Sequence, residues 1–136
     1  MRDEGGAATA EPDALVVADR LFAAITAGDV DAVRGIYAPD ARIWHAHTGV
    51  TQSVDDNLRV LAWVVKHLAG RRYEEVRRQR TDTGFVQQHV LRGTAPDGAP
   101  FELPACLVCR VERGRITRID EYLDSRGLEP LLRVAR

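Results

Sequence analysis

The stretch Phe101-Glu102-Leu103-Pro104-Ala105-Cys106-Leu107-Val108-Cys109-Arg110-Val111 decides how this chain folds. Side chains on a strand point alternately to its two faces. The odd positions, Phe101, Leu103, Ala105, Leu107, Cys109 and Val111, are all apolar, which predicts one internal face. Cys106 and Cys109 are three residues apart and therefore fall on opposite faces. Their CxxC spacing thus makes neither a disulfide nor a shared metal site, and both read as small apolar residues. Downstream, Arg113-Gly114 turns the chain into a strand over Arg115 to Leu123. Upstream, Asp97-Gly98 is a hairpin turn, preceded by a strand over Phe85 to Thr94. Thr83-Gly84 turns back to a strand over Tyr73 to Thr81 that is rich in Glu and Arg. Its run Arg71-Arg72, Arg77-Arg78 and Arg80, broken by Glu74-Glu75, reads as a solvated or interface strand.

Before this four-strand meander the period changes. Leu15, Ala18, Leu21, Phe22 and Ile25 recur at helical spacing, with Pro12 at the start and Gly28 as the cap. Asp29 caps a short second helix carrying Val30, Val33, Ile36 and Tyr37, which Pro39-Asp40 ends. Ala41 to His47 reads as a strand, and Thr48-Gly49 as a turn. Ser53 and Asp56 resemble a capping box for a third helix, with Val54, Leu58, Leu61, Ala62, Val65 and Leu68 on one face and Gly70 at its end. Ser125 to Leu132 is a terminal turn or short helix. Helices that precede an antiparallel sheet define an α+β class. Residues 1–12 are expected to be a flexible terminus and 13–133 a single domain.

The 136 residues carry 19 Lys+Arg against 20 Asp+Glu, a net charge of −1. That balance argues against nucleic-acid binding, which needs surplus positive charge. No apolar run approaches the ~20 residues of a membrane span. Met1 to Pro12 shows no signal peptide, so a cytoplasmic location is expected. Lys66 is the sole lysine, which leaves Schiff-base chemistry almost without a candidate.

Ala23-Ala24-Ile25-Thr26-Ala27-Gly28-Asp29-Val30-Asp31-Ala32 resembles the helix junction of the nuclear transport factor 2-like superfamily. Tyr37-Ala38-Pro39-Asp40-Ala41 resembles its next segment, and Gly114-Arg115-Ile116-Thr117-Arg118-Ile119 its last hairpin. The likeness spans roughly residues 13 to 125 and points to the SnoaL-like and ketosteroid-isomerase-like branch. It implies a cone-shaped α+β barrel, with helices packed on a curved, mainly antiparallel sheet. It also implies a small apolar ligand at the cone mouth and a homodimer through the outer sheet face. Trp44, Cys106 and Val108, apolar residues expected on that outer face, agree with such a contact. Ketosteroid isomerases, SnoaL-like polyketide cyclases, limonene-epoxide hydrolases and scytalone dehydratases share the fold, as do non-enzymatic modules, so fold alone does not give function.

By position, the isomerase's general base falls at His45 and its two oxyanion donors at Leu21 and Leu107. Neither leucine can donate a hydrogen bond, so steroid isomerisation by that mechanism is not expected. The resemblance places Ile43, His45 and His47 inside the cone, and likewise Ile119, Glu121 and Leu123. In SnoaL-like cyclases an acidic group near Glu121 acts in acid/base catalysis. Alternation on the strand from Phe85 sets Phe85, Gln87, His89 and Leu91 on one face. Polar groups converging in an apolar pocket are the usual pattern of a binding site. His45, Glu121 and His89 are therefore the expected catalytic residues. His47, Gln87, Trp63, Phe85, Leu107 and Leu21 are the expected substrate contacts.

Glu121 could instead pair with Arg80 or Arg92, an arrangement that an epoxide-hydrolase chemistry would need. A metal held by His45, His47, His89 and Glu121 is permitted by the spacing but is not expected, and no cofactor is expected. The expected function is cofactor-independent isomerisation, cyclisation, dehydration or hydrolysis of a hydrophobic carbonyl or epoxide compound. The alternative is a non-catalytic ligand-binding or association module of the same fold.

Overall fold

The computed structural model describes residues 11–133; of the flexible terminus expected over residues 1–12, residues 1–10 lie outside the described residues. Helix α1 (Ala14–Ala27) ends at Gly28, whose φ of 76° is a left-handed cap. Helix α2 (Val30–Ile36) starts where Asp29 accepts a bond from the Ala32 N–H at 3.0 Å. Strand β1 (Tyr37–His45) and the short β2 (Val50–Gln52) lead to helix α3 (Val54–His67), capped by Ser53, whose side chain accepts from the Asp56 N–H. Strands β3 (Ala69–Arg80), β4 (Gly84–Thr94), β5 (Pro100–Glu112) and β6 (Arg115–Leu123) form the meander. A 3₁₀ turn (Ser125–Leu128) and helix α4 (Glu129–Leu132) follow.

The sheet order is β2-β1-β6-β5-β4-β3. Among the described residues only the β1–β6 pair is parallel. The fold class is α+β, as expected, with the helices on an open, curved sheet. Curvature has a local cause in β3. Its pairing with β4 shifts register between Glu74 and Arg77, where Glu75 has a φ of 54°. Such bulges bend the bulged strand and raise its twist. At the start of β4, a Cβ on Gly84 would lie 2.0 Å from the Cys109 carbonyl oxygen, so only glycine fits there.

The concave face closes over α1. Val17, Ala18, Leu21, Phe22 and Ile25 pack with Ile43, Phe85, Leu107, Cys109 and Ile119 in one buried cluster. A second cluster joins Leu68, Phe101, Leu103 and Leu131, with Trp63 and Leu123 against it. Arg71, read from sequence as part of a solvated or interface run, ties the helices down instead. Its guanidinium donates to the Ile25, Thr26, Val65 and Leu68 carbonyls, near the last turns of α1 and α3. These carbonyls lie at helix C-terminal ends, where a cation complements the helix dipole; the Ile25 carbonyl also accepts from the Gly28 N–H.

Alternation along β5 is as expected, with Phe101, Leu103, Leu107 and Cys109 buried. Cys106 pairs with Gln88 and Tyr122, and Cys109 with Phe85 and Ile119, so the two thiols lie on opposite faces. Several boundaries differ from the sequence reading: β1 ends at His45 rather than His47, and β3 begins at Ala69 rather than Tyr73, so that Gly70, read as the end of α3, lies in a strand. Tyr37 to Asp40 belong to β1 rather than to a helix end, because Tyr37 pairs with Ile116 of β6. Pro39, which has no N–H for the ladder, sits where that pairing shifts register between Tyr37 and Arg42. Strand β2 has only three residues, too few to carry a readable period.

Candidate active site

His45 and Glu121 stand directly opposite each other in the parallel β1–β6 ladder. Their contact is His45 Nδ1 to Glu121 Oε1 at 2.8 Å. The other ring nitrogen, Nε2, lies 3.1 Å from Gln52 Oε1 on β2. The same Gln52 oxygen accepts from Asn57 Nδ2 of α3 at 3.0 Å. Asn57 Oδ1 in turn accepts from the Tyr37 hydroxyl at 2.8 Å. Four segments therefore build one chain of side chains: Glu121, His45, Gln52, Asn57, Tyr37.

Both nitrogens of His45 are engaged, whereas among the described residues Glu121 Oε2 makes no hydrogen bond. The side chains of His45 and Glu121 keep 12% and 22% of their surface accessible, so the carboxylate can still be reached. The bond to Glu121 holds the His45 imidazole above its ordinary range; burial works against it, and the Glu121 charge and the Gln52 contact add to the rise.

A second chain is built on β3 and β4. Asp19 of α1 pairs with Arg78. Arg78 Nε donates to Gln87 Oε1 at 2.6 Å, and Gln87 Nε2 contacts His89 Nδ1 at 2.9 Å. Arginine has donors only and does not lose its proton. Gln87 Oε1 must then accept, its amide nitrogen must donate, and His89 Nδ1 must accept. His89 is thereby a neutral imidazole with its proton on Nε2. Burial pushes His89 down to about 4; the Glu121 charge opposes this and Arg78 adds to it. Phe22 and Tyr73 meet the ring edge-on at 5.5 and 4.6 Å. A hollow of about 520 Å³ between α1 and the β3–β4 pair is lined by Phe22, Tyr73, Arg78 and Gln87.

His45 and Glu121 are in contact. His89 hydrogen-bonds to neither, yet the Glu121 charge acts on His89, Tyr37, Tyr73 and Cys109. These groups therefore lie within electrostatic reach of one carboxylate.

The other expected residues divide. Gln87 is fully buried in the His89 chain. Leu107 pairs with both Gln87 and Glu121 across the sheet. Leu21 and Phe85 are buried in the main core. Trp63 lies against the second apolar cluster and packs on His67, ring centroids 4.5 Å apart. His47 is corrected: it is exposed, in the turn after β1, rather than inside the cone. Strand β1 ends at His45, whose carbonyl accepts from the Gly49 N–H at 2.8 Å and closes that turn. The His47 ring still meets His45 edge-on at 5.8 Å.

Pairing of Glu121 with arginine is likewise corrected. Arg80 binds Asp13, and Arg92 is shared by Glu74, Glu75 and Glu102. Among the described residues no group of three or more His, Cys, Asp or Glu is placed to hold a metal ion.

Sequence reasoning missed Tyr37, Gln52, Asn57 and Arg78. One of them carried a signal. Asn57 stands at the apolar stripe of α3, three residues after Val54 and four before Leu61, where a polar side chain needs a buried partner.

Fold and site together define a small α+β cone protein with a hydrogen-bonded His–Glu pair inside. The model of the SnoaL-like domain matches residues 18–119, and the chain belongs to that family. No curated protein matches it. Among solved structures it is similar to IdmH from Streptomyces antibioticus, a proposed polyketide cyclase. That pair shares 23% identity and a TM-score of 0.77, over 89% of this chain and 99% of that one. It is also similar to a proposed isomerase from Bacillus subtilis, at 12% identity and a TM-score of 0.76 over 88% and 91% of the two chains. An epoxide hydrolase of the LEH-like type from M. tuberculosis matches at 17% identity and a TM-score of 0.70, over 88% and 90%. At these identities the likeness is one of fold. Among the described residues no helix is long and apolar enough to cross a membrane.

Proposed function

We propose that the protein is a cofactor-independent acid/base enzyme acting on a small hydrophobic carbonyl compound, in a reaction of the isomerase or cyclase type. The observation that carries this reading is the Glu121–His45 pair with one carboxylate oxygen unengaged. His45 is held by both nitrogens, so the proton-transferring group is Glu121 rather than the histidine. Glu121 Oε2 takes a proton from the carbon beside the carbonyl. The C–H electron pair moves toward the carbonyl oxygen. His89, neutral and with its donor on Nε2, hydrogen-bonds that oxygen as charge develops. Return of the proton to a different carbon completes an isomerisation; attack of the enolate carbon on a second carbonyl, whose oxygen then takes the proton back from Glu121, completes a cyclisation. His45, 2.8 Å from Oε1, holds the Glu121 carboxyl in place and supplies the opposite charge beside it.

The test is Glu121→Gln, which preserves shape, assayed by product analysis over a panel of aromatic and aliphatic polyketide-like carbonyl compounds. Turnover should fall by about 10²–10⁴-fold with the melting transition retained. Turnover equal to that of the parent protein removes the assignment. A second reading, a ligand-binding module without turnover, draws on the apolar Leu21 and Leu107 at the isomerase donor positions. Binding without any product across the panel would favour it.

We further propose a homodimer through the outer sheet face. Val108 and Tyr122 are 40% and 48% exposed there, and Tyr122 packs edge-on against Trp44 at 5.5 Å. Light scattering at micromolar concentration should give twice the 15.1 kDa chain mass; a monomer mass refutes it.

A further inference from the structure

The chain behind His45 contains a constraint that its ends impose. Tyr37 is 3% exposed and Asn57 4%. The only hydrogen bond of the Tyr37 hydroxyl among the described residues is to Asn57 Oδ1. Burial raises the phenol well above its ordinary range, so it keeps its proton. A buried hydroxyl with one partner gains most by donating, because acceptance alone strands its hydrogen in the core. With Tyr37 donating, Asn57 must present Oδ1 to it and Nδ2 to Gln52. Gln52 then presents Oε1 to both Asn57 and His45. An acceptor at 3.1 Å from Nε2 requires hydrogen on that nitrogen, and the Glu121 carboxylate requires hydrogen on Nδ1.

We infer that Tyr37 is a positioning residue: through Asn57 and Gln52 its buried O–H directs the hydrogen bonds so that His45 holds a proton on each ring nitrogen. The effect is one of direction, not of charge. The titratable groups facing His45 are Glu121 from β6 and His47 from the turn after β1. Helix α3 and β2 present only the uncharged amides of Asn57 and Gln52; Asp55 and Asp56 of α3 pair outward with Arg34 and Arg59. When His45 gives up its Nε2 proton, an acceptor faces an acceptor. Both amides must then turn over, and Tyr37 must accept, for the chain to be remade. Tyr37 thus stabilises the protonated ring from the far end of three side-chain bonds. Its significance for turnover rests on the Glu121–His45 reading above; the hydrogen bonding itself does not.

The experiment is therefore an NMR titration of the His45 ring in the substrate-free protein. Tyr37→Phe removes the O–H and little volume. It should lower the His45 midpoint by about half to one pH unit, the net worth of one buried hydrogen bond. Tyr73→Phe, which alters a tyrosine near Glu121 but outside the chain, should leave the midpoint in place. A His45 midpoint that is the same in parent and Tyr37→Phe overturns the inference. If Tyr37→Phe does not fold, the parent protein still decides. The Tyr37 hydroxyl proton resonance should shift with the His45 midpoint, and a resonance insensitive to that titration overturns it equally. Neither readout uses turnover, so loss of the proposed activity and loss of this inference are separate outcomes.

Discussion

Two histidines face the concave side of the same sheet, and each belongs to a chain of side-chain hydrogen bonds. The chains differ in what anchors them. Behind His89 stands Arg78, a group with donors only, which allows one direction of hydrogen bonding and one tautomer. Behind His45 stands the Tyr37 hydroxyl, which can donate or accept. The first chain is locked by chemistry. The second is directed by burial, and is able to reverse. Their electrostatics diverge accordingly: burial pushes His89 down to about 4, while Glu121 holds His45 above its ordinary range. One sheet thus carries a histidine suited to remain a neutral donor and one suited to carry charge.

That contrast breaks most visibly in stability against pH. The folded protein binds the His89 proton less tightly than the unfolded chain does. The stability contributed by neutral His89 is complete above about pH 6.5 and is lost as the pH falls toward 4. The loss should reach roughly 3 kcal/mol, because each tenfold weakening of proton binding is worth about 1.4 kcal/mol. Urea unfolding at a series of pH values measures it, and His89→Gln should remove most of that slope. His45 has the opposite sign. Its contribution is complete below about pH 6.5 and is lost as the pH rises through its raised value.

A smaller effect should follow from breaking the lock. Arg78→Met leaves Gln87 free to turn, and should cost about 1–3 kcal/mol through the buried amide and the lost charge-assisted bond. The His89 ring should then show both tautomers by nitrogen NMR, where the parent shows one. An unaltered single tautomer in Arg78→Met would mean that something other than the arginine directs the chain. Asp19→Ala should do least. Its carboxylate is 73% exposed, and surface pairs contribute about 0–1 kcal/mol. The His89 tautomer should be unchanged in that variant.

Much of the architecture is legible in residue order. The alternation from Phe101 to Val111 identifies the inner face of β5, and the spacing of Leu15 to Ile25 identifies α1, because each pattern is a local period. The Asp97-Gly98 and Arg113-Gly114 turns divide the meander for the same reason. Part of the site is legible too. Glu121 between Ile119 and Leu123, and the Gln87-His89 pair, are polar residues on apolar faces. The failures are equally physical. The resemblance places His47 inside with His45, yet β1 ends at His45 and the turn that follows carries His47 to the surface. Arg80 and Arg92 are candidate partners of Glu121 by sequence, yet nearer carboxylates hold both.

The sequence by itself determined the class of fold and, by alternation, the faces of β4 and β5 with Gln87 and His89 on one of them. Local periods and turn residues act over a few positions, and that range suffices for them. Only the tertiary structure decided which carboxylate meets His45, what stands behind each histidine, and therefore which nitrogen carries a proton. Those choices depend on donors and acceptors from β1, β2, α3, β3, β4 and β6, up to 76 residues apart in the chain. Hydrogen bonds are short and directional, so they exist only after packing has brought those segments together.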